Sequence, residues 1–181
     1  MSARRRVLAA AVAAGGLLVA VTSPFASASS QGGQHIDDLR QATAKYFDVA
    51  TAEADGYTEL RDAAGIACID SSAGGMGIHY VNPGLVGDPD IVMQTPELMV
   101  YAPAPDGSLV LVASEYVVLA DAWHAAHGKQ PPKLFGQKFT LVKAGNRYGL
   151  PDFYELHVWL WQSNPSGLFA DYNPGVTCPT S

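Results

Sequence analysis

The sequence predicts an α+β domain, with an N-terminal amphipathic helix packed on a curved, mainly antiparallel β-sheet or a small β-barrel. Three observations predict it. A single helical stripe of apolar residues stands near the start, at Ile36, Leu39, Thr43, Tyr46, Ala50, Ala54 and Tyr57. The later apolar runs, 76–81, 97–102, 108–119, 134–143 and 153–161, have the length of strands. Turn residues separate them, so strand follows strand with little helix between.

Taken in order, the chain opens on an export signal. Arg4-Arg5-Arg6 is a basic n-region, Val7 to Val21 is an uncharged apolar run, and Ala26-Ser27-Ala28 is a small-x-small cleavage site. The run is shorter than the roughly 20 residues of a spanning helix, and no cysteine follows it to carry a lipid. Arg4-Arg5-Arg6-Val7-Leu8 also resembles a twin-arginine signal, but an arginine-rich start serves ordinary Sec export as well, and Sec is the reading adopted. The expected organisation is a signal peptide at 1–28, a polar, Gly-rich disordered arm at 29–35, and a single globular domain at 36–181.

In the domain, Asp37 and Asp38 favour the positive end of the helix and Gly56 supplies its stop. Residues 61–75 read as loop, 120–128 as a short helix, Ala144-Gly145-Asn146 as a short hairpin-type turn, and the tail from Asn164 as extended loop.

Without the three leading arginines the chain has eight basic and seventeen acidic side chains, a balance of −9. That excludes a basic nucleic-acid or anionic-membrane surface. The expected partner is a small molecule or a metal ion, with no membrane anchor. Cys68 and Cys178 are the only cysteines, and in an exported chain they read as one disulfide.

The candidate site lies inside the strands. His79, Glu115 and His157 each interrupt a segment that is otherwise apolar. Burying such groups is costly unless they are paired or bind metal. In 153–161, Phe153, Glu155, His157, Trp159 and Trp161 alternate with an aliphatic set, and their face suits a pocket wall. In 109–119, Glu115 falls on a face with Leu109, Leu111, Ala113, Val117 and Leu119.

Three readings follow. In the first, His79, Glu115 and His157 bind a transition metal ion (zinc, copper, iron or manganese), with Glu97 as a fourth ligand. In the second, Glu115 is a metal-free general acid or base of a lyase, isomerase or hydrolase, or part of a small-molecule site. Tyr116, Tyr101 or Tyr80 then donates a hydrogen bond, and Trp159 and Trp161 line the pocket. In the third, histidine and glutamate form a core pair with no ligand. His124 and His127 stand at helical spacing beside Trp123, in a segment read as surface.

The segments Gly74-Gly75-Met76-Gly77-Ile78-His79-Tyr80-Val81-Asn82-Pro83, Pro96-Glu97-Leu98-Met99-Val100-Tyr101, Leu156-His157-Val158-Trp159-Leu160-Trp161 and Asn164-Pro165-Ser166-Gly167-Leu168-Phe169-Ala170-Asp171-Tyr172-Asn173-Pro174 resemble a group of secreted bacterial proteins common in actinomycetes. The resemblance covers most of the exported chain and implies no activity, cofactor or catalytic residue. A cupin is a poorer match, because the paired His-x-His with a nearby glutamate is missing.

Overall fold

The periodic segment 36–57 folds as helix, but in pieces. The computed structural model describes residues 25–179, with side chains from Gly33 onward. The signal read at 1–28 therefore lies almost wholly outside the described residues. Helix α1 (Phe25–Thr43) runs through the stretch read as an arm, then passes into a 3-10 turn at Ala44–Phe47 and a short helix, α2 (Val49–Ala54). The break has local causes. The Thr43 hydroxyl donates back to the Leu39 carbonyl at 2.9 Å, a bond that competes with helix propagation. Asp48 then caps α2, accepting from the Ala50 N–H and the Thr51 hydroxyl, each at 3.1 Å.

The strands are β1 (Thr58–Glu59), β2 (Cys68–Ser71), β3 (Gly74–Val81), β4 (Leu98–Pro103), β5 (Leu109–Leu119), β6 (Lys133–Leu134), β7 (Gln137–Lys138), β8 (Thr140–Val142) and β9 (Phe153–Val158). Seven of them form one antiparallel sheet in the order β1-β3-β4-β5-β9-β8, with β2 sharing the outer edge of β3. The sheet is open, so the closed barrel is set aside and α+β stands. Short helices α3 (Pro83–Val86) and α4 (Ala120–His127) sit in the connections.

Some expectations are corrected here. The loop read at 61–75 contains β2. The run 134–143 is three short strands, because the chain turns at Phe135, whose φ is +51°. The hairpin turn expected at 144–146 is a longer loop over 143–152, organised by Asp152 and Asn146.

The two sheet faces carry different cores. On one, Leu39 of α1 packs with Tyr116, Val118, Tyr154, Leu156 and Val158, while Tyr46 and Ala52 pack with Tyr80, Met99, Tyr101 and Leu111. On the other lie Leu98, Val117 and Phe153, and beside them Val100, Ala113 and Trp159.

A bulge in β5 sets which residues reach which face. Val100 pairs with Ala113 but Tyr101 pairs with Leu111, which leaves Val112 unpaired. One extra residue reverses the alternation. Leu111 therefore belongs to the helix-side core, not to the face of Glu115 as strict alternation had it. A second irregularity leaves Met76 unpaired between Gly75 and Gly77. Gly77 has φ +106°, and a Cβ there would stand 2.6 Å from the Tyr101 carbonyl oxygen.

The tail from Asn164 has no regular element of its own, yet it is firmly held. Gly75 N–H donates to the carbonyls of Asn173 (3.1 Å) and Val176 (2.9 Å), and Asn173 N–H returns a bond to Gly75 O at 2.9 Å. The fully buried Asn173 donates through Nδ2 to Ser163 O and accepts from Gly175 N–H. The Cys68–Cys178 disulfide closes the arrangement. The tail thus covers the sheet face that carries Trp159, whose backbone N–H donates to Leu168 O at 2.9 Å.

Candidate metal centre

His79, Glu115 and His157 come from three different strands and meet on the covered face. Glu115 on β5 is the direct cross-strand partner of His157 on β9 and, on its other side, of Leu98 on β4. His79 on β3 is opposite Val100 of β4. In a flat sheet β3 and β9, three steps apart, would be separated by about 14 Å. The two imidazole centroids are 5.9 Å apart, so side-chain lean and sheet twist together close most of that gap. The register shifts in β3 and β5 are bulges of the kind that raise local twist.

One ligand atom from each of the three residues lies within 4.8 Å of the others. Atoms bound to one ion at about 2.1 Å stand roughly 3.0–4.2 Å apart, so small side-chain rotations bring the group to coordination distance. All three side chains are buried, at 2 %, 4 % and 1 % relative exposure. His79 Nε2 lies 3.3 Å from Glu115 Oε2, outside hydrogen-bond geometry, and none of the four imidazole nitrogens has a hydrogen-bond partner. The Trp159 ring covers His157 at 4.9 Å between centroids and is itself fixed by an Nε1 bond to Ala170 O at 2.6 Å.

Burial sets the protonation. It pulls His79 down to about 4, with the charge of Arg147 adding to the effect. Burial, then the neighbouring His79, holds His157 well below its usual range. Burial drives Glu115 well above the ordinary carboxylate range, and Glu155 and Asp171 push the same way. The short His79–Glu115 contact therefore lies where burial disfavours charge on both partners, despite its ion-pair spacing.

Comparison with family models, with curated proteins and with solved structures finds no match to this chain.

The other residues singled out in the sequence are placed elsewhere. Glu97 is buried just before β4, where its Oε2 accepts from the Val117 N–H at 3.0 Å, and it is not part of the cluster. Tyr101 and Tyr116 face the helices and donate to the carbonyls of Tyr46 (2.7 Å) and Met93 (2.6 Å). Tyr80 stacks edge-on against Tyr101 on that same face. Trp161 lies beyond the end of β9, where the alternation stops, and packs against Phe47 at 4.6 Å. Of the aromatic residues singled out, Trp159 is the one that touches the cluster. His124 bonds the Tyr154 hydroxyl and His127 pairs with Asp90, so the two do not converge.

The pocket wall read on the Glu155 face of β9 is present, with Phe153 and Glu155 in it, but the approach of Glu155 and Asp171 to Glu115 was not read from the sequence. Its carboxyl lies within hydrogen-bonding reach of Glu155, and Asp171 of the tail stands close by. These residues line a cavity of about 580 Å³, which Glu115 also lines but neither histidine does. Glu155 carried a signal, since it shares the His157 side of β9. Asp171 carried none, because it sits in a segment without periodicity.

Proposed function

We propose that His79, Glu115 and His157 bind one divalent transition-metal ion. The observation that carries this reading is a pair of buried imidazoles with no hydrogen bond at any ring nitrogen, facing a buried carboxyl. Left alone, each ring buries a donor and an acceptor unpaired, which costs about 1–3 kcal/mol per group. An ion takes one nitrogen from each ring and one carboxylate oxygen. Neutral imidazoles are the form that ligates, and burial keeps both rings neutral at pH 7. Two nitrogens and one oxygen suit zinc, iron, manganese or copper.

The test is elemental analysis of untagged protein purified without chelator, followed by titration with zinc and cobalt(II). About one equivalent should be found or taken up, and His79→Ala or His157→Ala should lose it. Less than about a tenth of an equivalent, with no uptake on titration, rejects the metal.

A second reading has Glu115 act as a metal-free general acid or base. It is favoured by one observation: Glu115 alone of the three reaches the cavity. In that case Glu115→Gln lowers ligand binding or turnover in protein that never held metal. The unpaired ring nitrogens weigh against the third reading, a self-satisfied core pair.

We infer also that the chain works outside the cytoplasm, among the secreted proteins its segments resemble. The disulfide and the leading apolar run support this. Among the described residues no helix is long and apolar enough to cross a membrane.

A further inference from the structure

The cavity beside Glu115 is a feature in its own right. At about 580 Å³ it falls in the range of small-molecule sites and far exceeds the voids left by ordinary packing. Its walls are aliphatic and aromatic: Leu98, Val117 and Phe153 come from the sheet, Val86 from α3 and Leu150 from the 143–152 loop. Polarity is concentrated in a few side chains. Glu115, Glu155 and Asp171 bring three carboxyls to the lining. Among the described residues Arg147 is the one cationic side chain there, and it is already paired, with Nε 3.2 Å and Nη2 3.1 Å from Asp62 Oδ2.

We propose that this pocket binds a small molecule with an apolar body and a protonated amine head, the amine set against Glu155 and Asp171. The walls fix the body, since an alkyl or ring system recovers the apolar contact that solvent cannot give. The acids fix the head. A carboxylate would meet Glu155 and Asp171, with no free cation among the described lining residues to offset them. A neutral hydroxyl would donate a single weaker bond. An ammonium donates three, and its bonds to carboxylates are charge-assisted. Neither imidazole lines the pocket and neither Glu155 nor Asp171 is a proposed ligand, so the amine contacts are distinct from the metal ligands, with Glu115 bordering both.

The experiment is calorimetric titration of the full, purified protein, in its as-isolated metal state, with decylamine, decanol and decanoate. These share a chain and differ in the head. Decylamine should bind at least tenfold more tightly than decanoate and more tightly than decanol. In Asp171→Asn, and in Asp171→Asn combined with Glu155→Gln, amine affinity should fall to that of the alcohol. The circular-dichroism melt should remain a single cooperative transition, which separates a lost head contact from a lost fold, and metal content is read in parallel because Glu155 and Asp171 act on Glu115. Binding of decanoate as tightly as decylamine, binding of none of the three, or full amine affinity in the double variant would each overturn the proposal.

Discussion

At the residue scale, the informative side chains are those whose charge the interior refuses. Glu97 is one. Burial pushes it up to about 8, although the Val117 N–H pulls the other way. A carboxyl raised in the folded state adds stability that is complete below the unfolded value near 4.5 and is lost as pH rises through 8. Glu97→Gln keeps an acceptor for Val117 and removes the titration. Its thermal midpoint should match the wild type near pH 5 and exceed it at pH 9, as read by circular dichroism across that range. The proposed ligands make a second prediction. Glu115 must lose its proton to coordinate, whereas the histidines are already neutral. Metal affinity should therefore rise about tenfold per pH unit while Glu115 is protonated in the free protein. Competition titration with a chromophoric chelator on the wild type and on Glu115→Gln measures that slope, and the same pH profile in both would mean the carboxylate is not a ligand. His79, Glu115 and His157 were legible in the sequence because a titratable group in an apolar strand has few inexpensive explanations. Glu97 looked the same by that criterion and proved to be a backbone acceptor, since strand pattern says which segment a residue is in but not what its carboxyl meets.

At the element scale, two bulges decide the site. Val112 reverses the alternation of β5, so that Leu111 and Glu115 point to opposite faces. Met76, next to the left-handed Gly77, bends β3. A side chain at Gly77 meets both a strained φ and the Tyr101 carbonyl, so Gly77→Ala should cost about 1–3 kcal/mol in urea unfolding. It should also weaken metal uptake, because His79 lies two residues further along the same strand. Uptake unchanged at reduced stability would show that the curve of β3 does not position His79. Alternation revealed the faces of β9 because that strand pairs regularly through Val158. It failed for the first half of β5, because a bulge is an extra residue with no signature of its own when the residue is a valine among valines and leucines.

At the scale of the whole molecule, the tail completes the structure. It lies over Gly75, brings Asp171 and Tyr172 to the cavity, and ends at the bridge to Cys68. The bridge closes a loop of 110 residues, for which chain entropy implies up to about 4–5 kcal/mol. Cys68→Ser with Cys178→Ser should lower stability by an amount approaching that, measured by denaturant unfolding under non-reducing conditions. It should also weaken decylamine binding more than metal binding, since the tail supplies a cavity wall but no proposed ligand. The overall class was legible, because one helical stripe followed by strand-length runs leaves few architectures. The tail's role was not: its Asn and Pro residues mark turns without saying what they turn over.

The same bridge has a consequence for how the protein meets proteases. Residues 79, 115 and 157 all fall between the two cysteines, as does the exposed 143–152 loop. A single cut in that loop would leave both fragments covalently joined, so a nicked molecule should run as one species until a thiol is added.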